Sequence, residues 1–324
     1  MKNIITCLFC WLCLTAGARS VKDCGAIGDG VTDDTAAVQA VLNTETDIYF
    51  PRGTYLVGNL LVRSSDNLIH GEGFASVLLL KPGATGPILN VGEHTVGMEK
   101  LAFYGGDTTD KSTTAISPAD RSAIAIRTQS PSWIDKILVK GFGRYGVYST
   151  DLWRDAGSHL SLTNSTFIFN WTAIQAGPEN AEYIRLSGLD IRNSWIALYL
   201  GSGNITVTNS KITTNGYGVF LDGTGIPNNG HGSVSSSLIN HNTYPVYAKN
   251  ISKGFNFTGN NIFGGTILLE SSSGISIKDG IIDVAVIQAI GGGRNHIKGN
   301  FINGGEANLE VHDQDQTIIN NYRR

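Results

Sequence analysis

Charge is scarce in this chain of 324 residues. Asp, Glu, Lys and Arg make up 16% of it, and the formal net charge is -3. No run of either sign occurs, which excludes the clustered basic footprint that nucleic-acid binding needs. Long apolar runs are missing too, and past the first residues no segment could span a bilayer. Cysteine is nearly absent, and three of the four (Cys7, Cys10 and Cys13) fall at the very start. That start reads as a secretory leader. Lys2 supplies the charge, Ile4 to Thr15 the apolar stretch, and Ala16-Gly17-Ala18 the small-residue cleavage site. The small residues that a lipoprotein signal places before its cysteine do not precede Cys10 or Cys13. Removal of 1–18 leaves one domain, 19–324, with Cys24 alone, so no intramolecular disulfide is expected. The expected location is extracellular or periplasmic. No Cys/His cluster suits zinc, and no glycine loop follows a strand to cradle phosphate.

What is abundant is glycine, at 40 residues, together with 41% hydrophobic residues. The second figure excludes disorder. The first, without a Gly-X-Y period, excludes collagen and calls for many tight turns. Gly25, Gly28 and Gly30 open a compact stretch, Asp23-Cys24-Gly25-Ala26-Ile27-Gly28-Asp29-Gly30-Val31-Thr32-Asp33-Asp34-Thr35. Thr32 or Asp33 is placed to cap a helix over about ten residues from Asp34, which faces the helix dipole. Ala37, Val38, Val41 and Leu42 share one face of it. Pro51 and Gly53 then turn the chain between strands 48–50 and 54–57.

This stretch resembles the entrance of the pectate lyase superfamily, with Cys24 where those proteins usually carry Phe. The resemblance implies a right-handed parallel β-helix whose N-terminal end is plugged by the short helix, with Asp33 and Asp34 structural. It says little about reaction, because one fold hosts many chemistries.

Beyond residue 140 the sequence repeats. Tyr145-Gly-Val147-Tyr148, Thr172-Ala-Ile174-Gln175, Ile196-Ala-Leu198-Tyr199, Tyr217-Gly-Val219-Phe220 and Tyr244-Pro-Val246-Tyr247 share one pattern, and Leu268, Ile287 and Leu309 continue the aliphatic position. The intervals run from 19 to 27 residues. A second set of short alternating strands precedes each copy, among them Ile205-Thr-Val-Thr and Phe255-Asn-Phe-Thr. A period near 22 with two or three strands per repeat means a solenoid; the leucine-rich pattern is missing and propeller blades are about twice as long. Insertions at 105–123, 150–159 and 222–232 break the period, and loops on one face of a solenoid are where binding concentrates.

The residue after each inward aliphatic must point outward. That forms a column of Tyr148, Gln175, Tyr199, Phe220, Tyr247, Leu269, Gln288 and Glu310, with Asp222 and Lys249 two residues further along. Aromatic faces with polar neighbours suit a sugar chain, although the same stack would also stabilise the sheet. Cleavage needs a carboxylate pair, or a base plus a cation to neutralise a uronate. Asp222, His231, Asp155 and Asp151 are the catalytic candidates. Tyr148, Gln175, Tyr199, Phe220, Tyr247, Arg154 and Lys249 are the substrate-binding ones. The loop after Asp222 is expected to bring His231 back to it. Gly230-His231-Gly232 resembles the Gly-His-Gly element of polygalacturonases, though the other elements of that set do not follow. Trp133-Ile134-Asp135 resembles a pectate-lyase stretch, with Asp135 in an ordinary strand. The expectation is a secreted protein that cleaves a polysaccharide, as hydrolase or lyase, with a binding-only adhesin or tail-spike-like protein as the alternative. No cofactor or metal is called for, calcium being the exception for a lyase. The protein is expected to be a monomer or homotrimer.

Overall fold

The computed structural model describes residues 17–302 except 85, 114–122, 130–131, 150–158, 178–182 and 202. Beyond them it describes the backbone of the short strands Leu309–Val311, Thr317–Ile319 and Tyr322–Arg323. The chain winds as an all-β, right-handed-type parallel solenoid of about 11 turns. Each coil visits three parallel sheets, of 13, 13 and 11 strands. One coil shows the plan: Ile205–Thr208 lies in the first sheet, Lys211–Thr213 in the second and Tyr217–Asp222 in the third. Every rung pairs with the same rung of the coils before and after, so backbone donors and acceptors are satisfied along the axis.

The core is the stack of inward aliphatics that the period implies. Val147, Ile174, Leu198, Val219 and Val246 are all fully buried. At the next coil the expected assignment slips by one residue. Tyr247 pairs with Leu268, so Ile267 and Leu269 point inward and Leu268 takes the outward place assigned to Leu269. Three aliphatics in succession, Ile267-Leu268-Leu269, carry no alternation from which to read a register.

Corners are sharp and polar. Between the first and second sheets the chain turns on single left-handed residues such as Asn209 (φ 50°), and between the second and third on Asn193 (φ 54°) and Thr214 (φ 58°). The residue after the second corner is buried and bonds to the next coil. Phe142 N–H donates to Asn170 (3.1 Å), Asn170 N–H to Ser194 (3.2 Å), Ser194 N–H to Asn215 (3.0 Å) and Asn215 N–H to Asn242 (2.9 Å). Asn170, a rung of this ladder, has a fully buried side chain.

At the N-terminal end the helix runs over Thr35–Thr44 and buries Val38, Val41 and Leu42. Asp34, rather than Thr32 or Asp33, holds the cap position, but its carboxylate turns back to accept from Ile27 N–H (2.7 Å) and Gly28 N–H (3.0 Å). Thr32 is engaged instead by Asp29. Asp33 accepts from Thr35 N–H (3.0 Å) and pairs with Lys81 (3.0 Å). The helix meets the last strand of the third sheet, Leu60–Leu61, through Gln39. Its carboxamide donates to Leu61 O and accepts from Leu61 N–H, both at 2.8 Å, much as another strand would. Among the described residues no helix is long and apolar enough to cross a membrane.

Candidate functional site

The third sheet carries the expected column. Arg127, Tyr148, Gln175, Tyr199, Phe220, Tyr247 and Leu268 follow one another in ladder register. All are half-buried except Gln175, which is buried between its two tyrosine neighbours in register.

A second file of rings lies beside the first, and the repeat pattern hid it. In each strand the small residue before the inward aliphatic is skipped by the ladder, as Gly218 is between the pairs Tyr217–Tyr244 and Val219–Val246. A Cβ on Gly218 would lie 2.7 Å from Pro245 O. The residue before the inward aliphatic and the aliphatic itself are buried, and in three coils the residue three before the column residue is half-buried beside the column. Tyr145, Tyr217 and Tyr244 occupy that position. In the intervening coils, where it is Thr172 or Ile196, the indole of Trp171 or Trp195 stands one residue earlier.

The rings touch along and across the axis. Tyr145 stacks on Tyr148 at 4.6 Å, Trp171 on Trp195 at 5.6 Å, Tyr217 on Tyr244 at 5.0 Å and Phe220 on Tyr247 at 4.7 Å. Trp195 meets Tyr217 edge-on at 5.4 Å, and Tyr199 meets Phe220 at 5.1 Å. Nine aromatic side chains, each half-buried, form one band on this face. Arg144 lies over Tyr145 at 5.2 Å.

Polar groups gather where these strands end. Asp222, Lys249 and Glu270 are successive rungs. Tyr199 Oη donates to Asp222 Oδ2 at 2.8 Å, and Tyr247 Oη donates to Glu270. Burial first, and then the bonded carboxylate, push both phenols well above the ordinary tyrosine range, so they stay neutral donors. Asp222 Oδ1 also accepts from Thr224 N–H at 3.0 Å, closing a turn. Glu270 escaped the sequence reading because of the slip at Leu268, which moves the outward positions of that coil by one; Gln288 in the next coil pairs with Leu268 and keeps its expected outward place.

No hydrogen bond or ion pair joins Asp222 and His231. Asp222 ends a third-sheet strand, whereas His231 precedes the first-sheet strand Gly232–Ser235 and donates its N–H to Gly254 O at 2.9 Å. The loop between them is pinned by Asn229, whose amide donates to Ile226 O (2.8 Å) and accepts from Ser252 N–H (2.6 Å). Asp151, Arg154 and Asp155 lie outside the described residues. Asp135 sits in the strand Ser132–Asp135 and accepts from Thr163 (2.6 Å) and Asn164 (2.8 Å). Burial raises its pKa, but these bonds prevail and hold it below the ordinary carboxylate range. Its part is structural.

Known proteins share this architecture. The enzymatically active domain of tailspike protein 2 of bacteriophage CBA120 aligns at a TM-score of 0.61 and 13% identity, over 95% of this chain and 48% of that one. An endo-xylogalacturonan hydrolase of Aspergillus tubingensis aligns at 0.54 and 14% identity, over 92% and 91%. The surface adhesin PfbA of Streptococcus pneumoniae aligns at 0.54 and 13%, over 95% and 90%. At such identities these likenesses speak for the fold alone. Curated proteins that match in sequence do so over 56 to 103 residues, and the chain spans 6 to 10% of their length. The family model for rhamnogalacturonase A/epimerase, pectate lyase-like proteins matches residues 18–264. An entrance motif of that superfamily thus opens coils that the same family model follows through most of the chain, which belongs to the rhamnogalacturonase A/epimerase, pectate lyase-like family.

Proposed function

We propose that this protein, secreted through the leader 1–18, holds an acidic polysaccharide along the aromatic face of the third sheet and cleaves it at the margin marked by Asp222, Lys249 and Glu270. The band of nine half-buried rings carries this reading. Sugar rings stack their apolar faces on aromatic side chains, and rings already fixed by their neighbours lose little freedom when a ligand arrives. Lys249 stands where it would neutralise a uronate. Asp222 and Glu270 are two rungs apart, roughly 9–10 Å between backbones. That spacing suits hydrolysis through a water held between two carboxylates about 6.5–9.5 Å apart.

Binding without turnover is the second reading, and one observation favours it. Each carboxylate already accepts a tyrosine hydroxyl, and Asp222 closes a turn as well. The experiment is to incubate the protein with pectic and other acidic polysaccharides, counting new reducing ends and following unsaturated products. Cleavage predicts that Asp222→Asn and Glu270→Gln each lose about 100-fold or more in rate while still binding. Binding by the wild type with no new ends selects the second reading. Failure to bind any polysaccharide overturns both.

A further inference from the structure

We infer that residues 105–112 form a latch beside the aromatic face, held shut by the buried ammonium of Lys111 and released when acid protonates its partner Asp107. The segment opens the first insertion that interrupts the repeat, between the strands Ala102–Tyr104 and Ile124–Thr128. Three successive coils turn from the second sheet to the third at Gly141 (φ 78°), Phe169 (φ 60°) and Asn193 (φ 54°). Gly105 N–H donates to Lys140 O (2.8 Å) and Lys111 N–H to Asn193 O (3.2 Å). The latch therefore reaches across two rungs, roughly 9–10 Å. A Cβ on Gly141 would fall 2.0 Å from Asp107 O, so the segment can lie this close only over glycine.

Lys111 is the clasp. Its side chain is fully buried, and its Nζ donates to Asp107 Oδ2 (2.6 Å) and Thr109 O (3.1 Å). Asp110 ties the segment to the coil beneath, accepting from Asn193 Nδ2 (2.8 Å) and from Ser112 N–H (2.9 Å). A buried ammonium without its counter-charge is costly, so the clasp has two states. Either Lys111 is inside with Asp107 ionised, or it is outside in water. Asp107 is 44% exposed, so protons reach it from solvent while Lys111 stays covered.

Burial raises the pKa of both carboxyls, but the bonds from Lys111 to Asp107 and from Ser112 to Asp110 prevail and hold them below the ordinary range. A carboxyl whose pKa is lower in the shut state favours that state above the open-state value, about 3.9, and stops doing so as pH falls below it. The other charges facing the segment do not replace Asp107. Lys140 lies over Tyr104 (5.9 Å) and Phe169 (5.7 Å), and Arg192 pairs with Asp190 (3.3 Å). Among the described residues no ion pair joins any of them to the latch. Phe169 and Asn193 stand two residues before Trp171 and Trp195, so the latch lies where the third-sheet strands begin, opposite Asp222, Lys249 and Glu270. Its role as a wall of the polysaccharide track rests on the function proposed above, whereas the following test reads the latch alone.

The test is hydrogen exchange by mass spectrometry on the whole protein, with each rate divided by that of the unfolded peptide at the same pH. The peptide holding 105–112 is compared with one holding Asn215, a rung of the buried ladder. From about pH 5.5 to about pH 3, protection of the latch should fall about tenfold, the worth of one hydrogen bond to a charged group. The ladder peptide should change much less. In Lys111→Met, whose side chain can stay buried at any pH, the protection of the latch should hardly vary with pH, whatever its level. Asp107→Asn should exchange at the upper pH as fast as the wild type does at the lower one. Constant protection of the latch in the wild type, an equal fall in the ladder peptide, a full fall in Lys111→Met, or wild-type protection in Asp107→Asn at the upper pH overturns the inference.

Discussion

Tyr199 shows how a residue can be placed correctly by sequence and still be misjudged in energy. As a bare outward stacker it would cost little to remove. In the fold its ring lies edge-on against Phe220 and its hydroxyl is bonded to Asp222, with burial raising its pKa. Tyr199→Phe is expected to cost about 1 kcal/mol, the net worth of one hydrogen bond, and to leave glycan affinity within about twofold. Tyr199→Ala should cost about 2 kcal/mol or more and weaken binding too, because packing and platform are both lost. Urea unfolding and calorimetric titration of the two variants check this, and equal behaviour would remove the ring from the site. The outward column was legible because a small residue and an aliphatic mark the inside of each coil. The second file was not, since a skipped residue such as Gly218 leaves no trace in a pattern of alternation. Glu270 was hidden for a related reason, lying beyond three aliphatics that fit either register. Asp222 and His231 serve different sheets, and no hydrogen bond or ion pair joins them.

The corner and the entrance motif behave differently at the scale of the element. Asn215 is one rung of the buried ladder; it accepts from Ser194 N–H and donates to Ile191 O and Thr213 O. Asn215→Ala would leave those buried groups without partners, and should destabilise by about 2–3 kcal/mol in denaturant unfolding. In sequence such asparagines look like surface turn residues, because only stacking of coils buries them. The motif, by contrast, was legible almost residue by residue, for Gly25, Gly28 and Gly30 do take left-handed angles. What it concealed was the sharing of acceptors among Asp29, Asp33 and Asp34. Hydrogen bonds from the Thr35 hydroxyl and N–H, and then Lys81, lower the Asp33 carboxyl to about 2. A folded-state pKa below the unfolded one stabilises above the unfolded value, about 3.9, and that contribution is lost as pH falls from there toward 2. Asp33 is about half exposed, so solvent screening keeps the effect small. Melting temperatures of the wild type should therefore fall more steeply than those of Asp33→Asn between pH 4 and 2, and parallel curves would assign the acid sensitivity elsewhere.

A solenoid turns a one-dimensional repeat into a ruler, and for the whole molecule that is what the sequence period conveyed most directly. The spacing of coils along the axis is fixed by backbone pairing at about 4.8 Å per rung, whatever the lengths of the loops between them. Loops of unequal length blur the period in sequence yet leave the stack regular, which is why insertions could be seen but their destinations could not. The aromatic band runs from the coil of Tyr145 and Tyr148 to that of Tyr244 and Tyr247, five strands in register. Four rungs separate its ends, roughly 19 Å. A polymer lying along the axis would meet a ring at nearly every rung. Affinity should then grow with oligosaccharide length, each added unit finding another ring worth about 0.5–1.5 kcal/mol, until the ligand covers the band. Past that length it should level off. Calorimetric titration with a series of defined oligomers of one bound polysaccharide measures this. A plateau already reached at the disaccharide would mean that the polymer crosses the sheet at one rung instead of following it. Continued growth well past 19 Å would mean that the binding track extends beyond the rings, toward Arg127 at one end or Glu270 at the other.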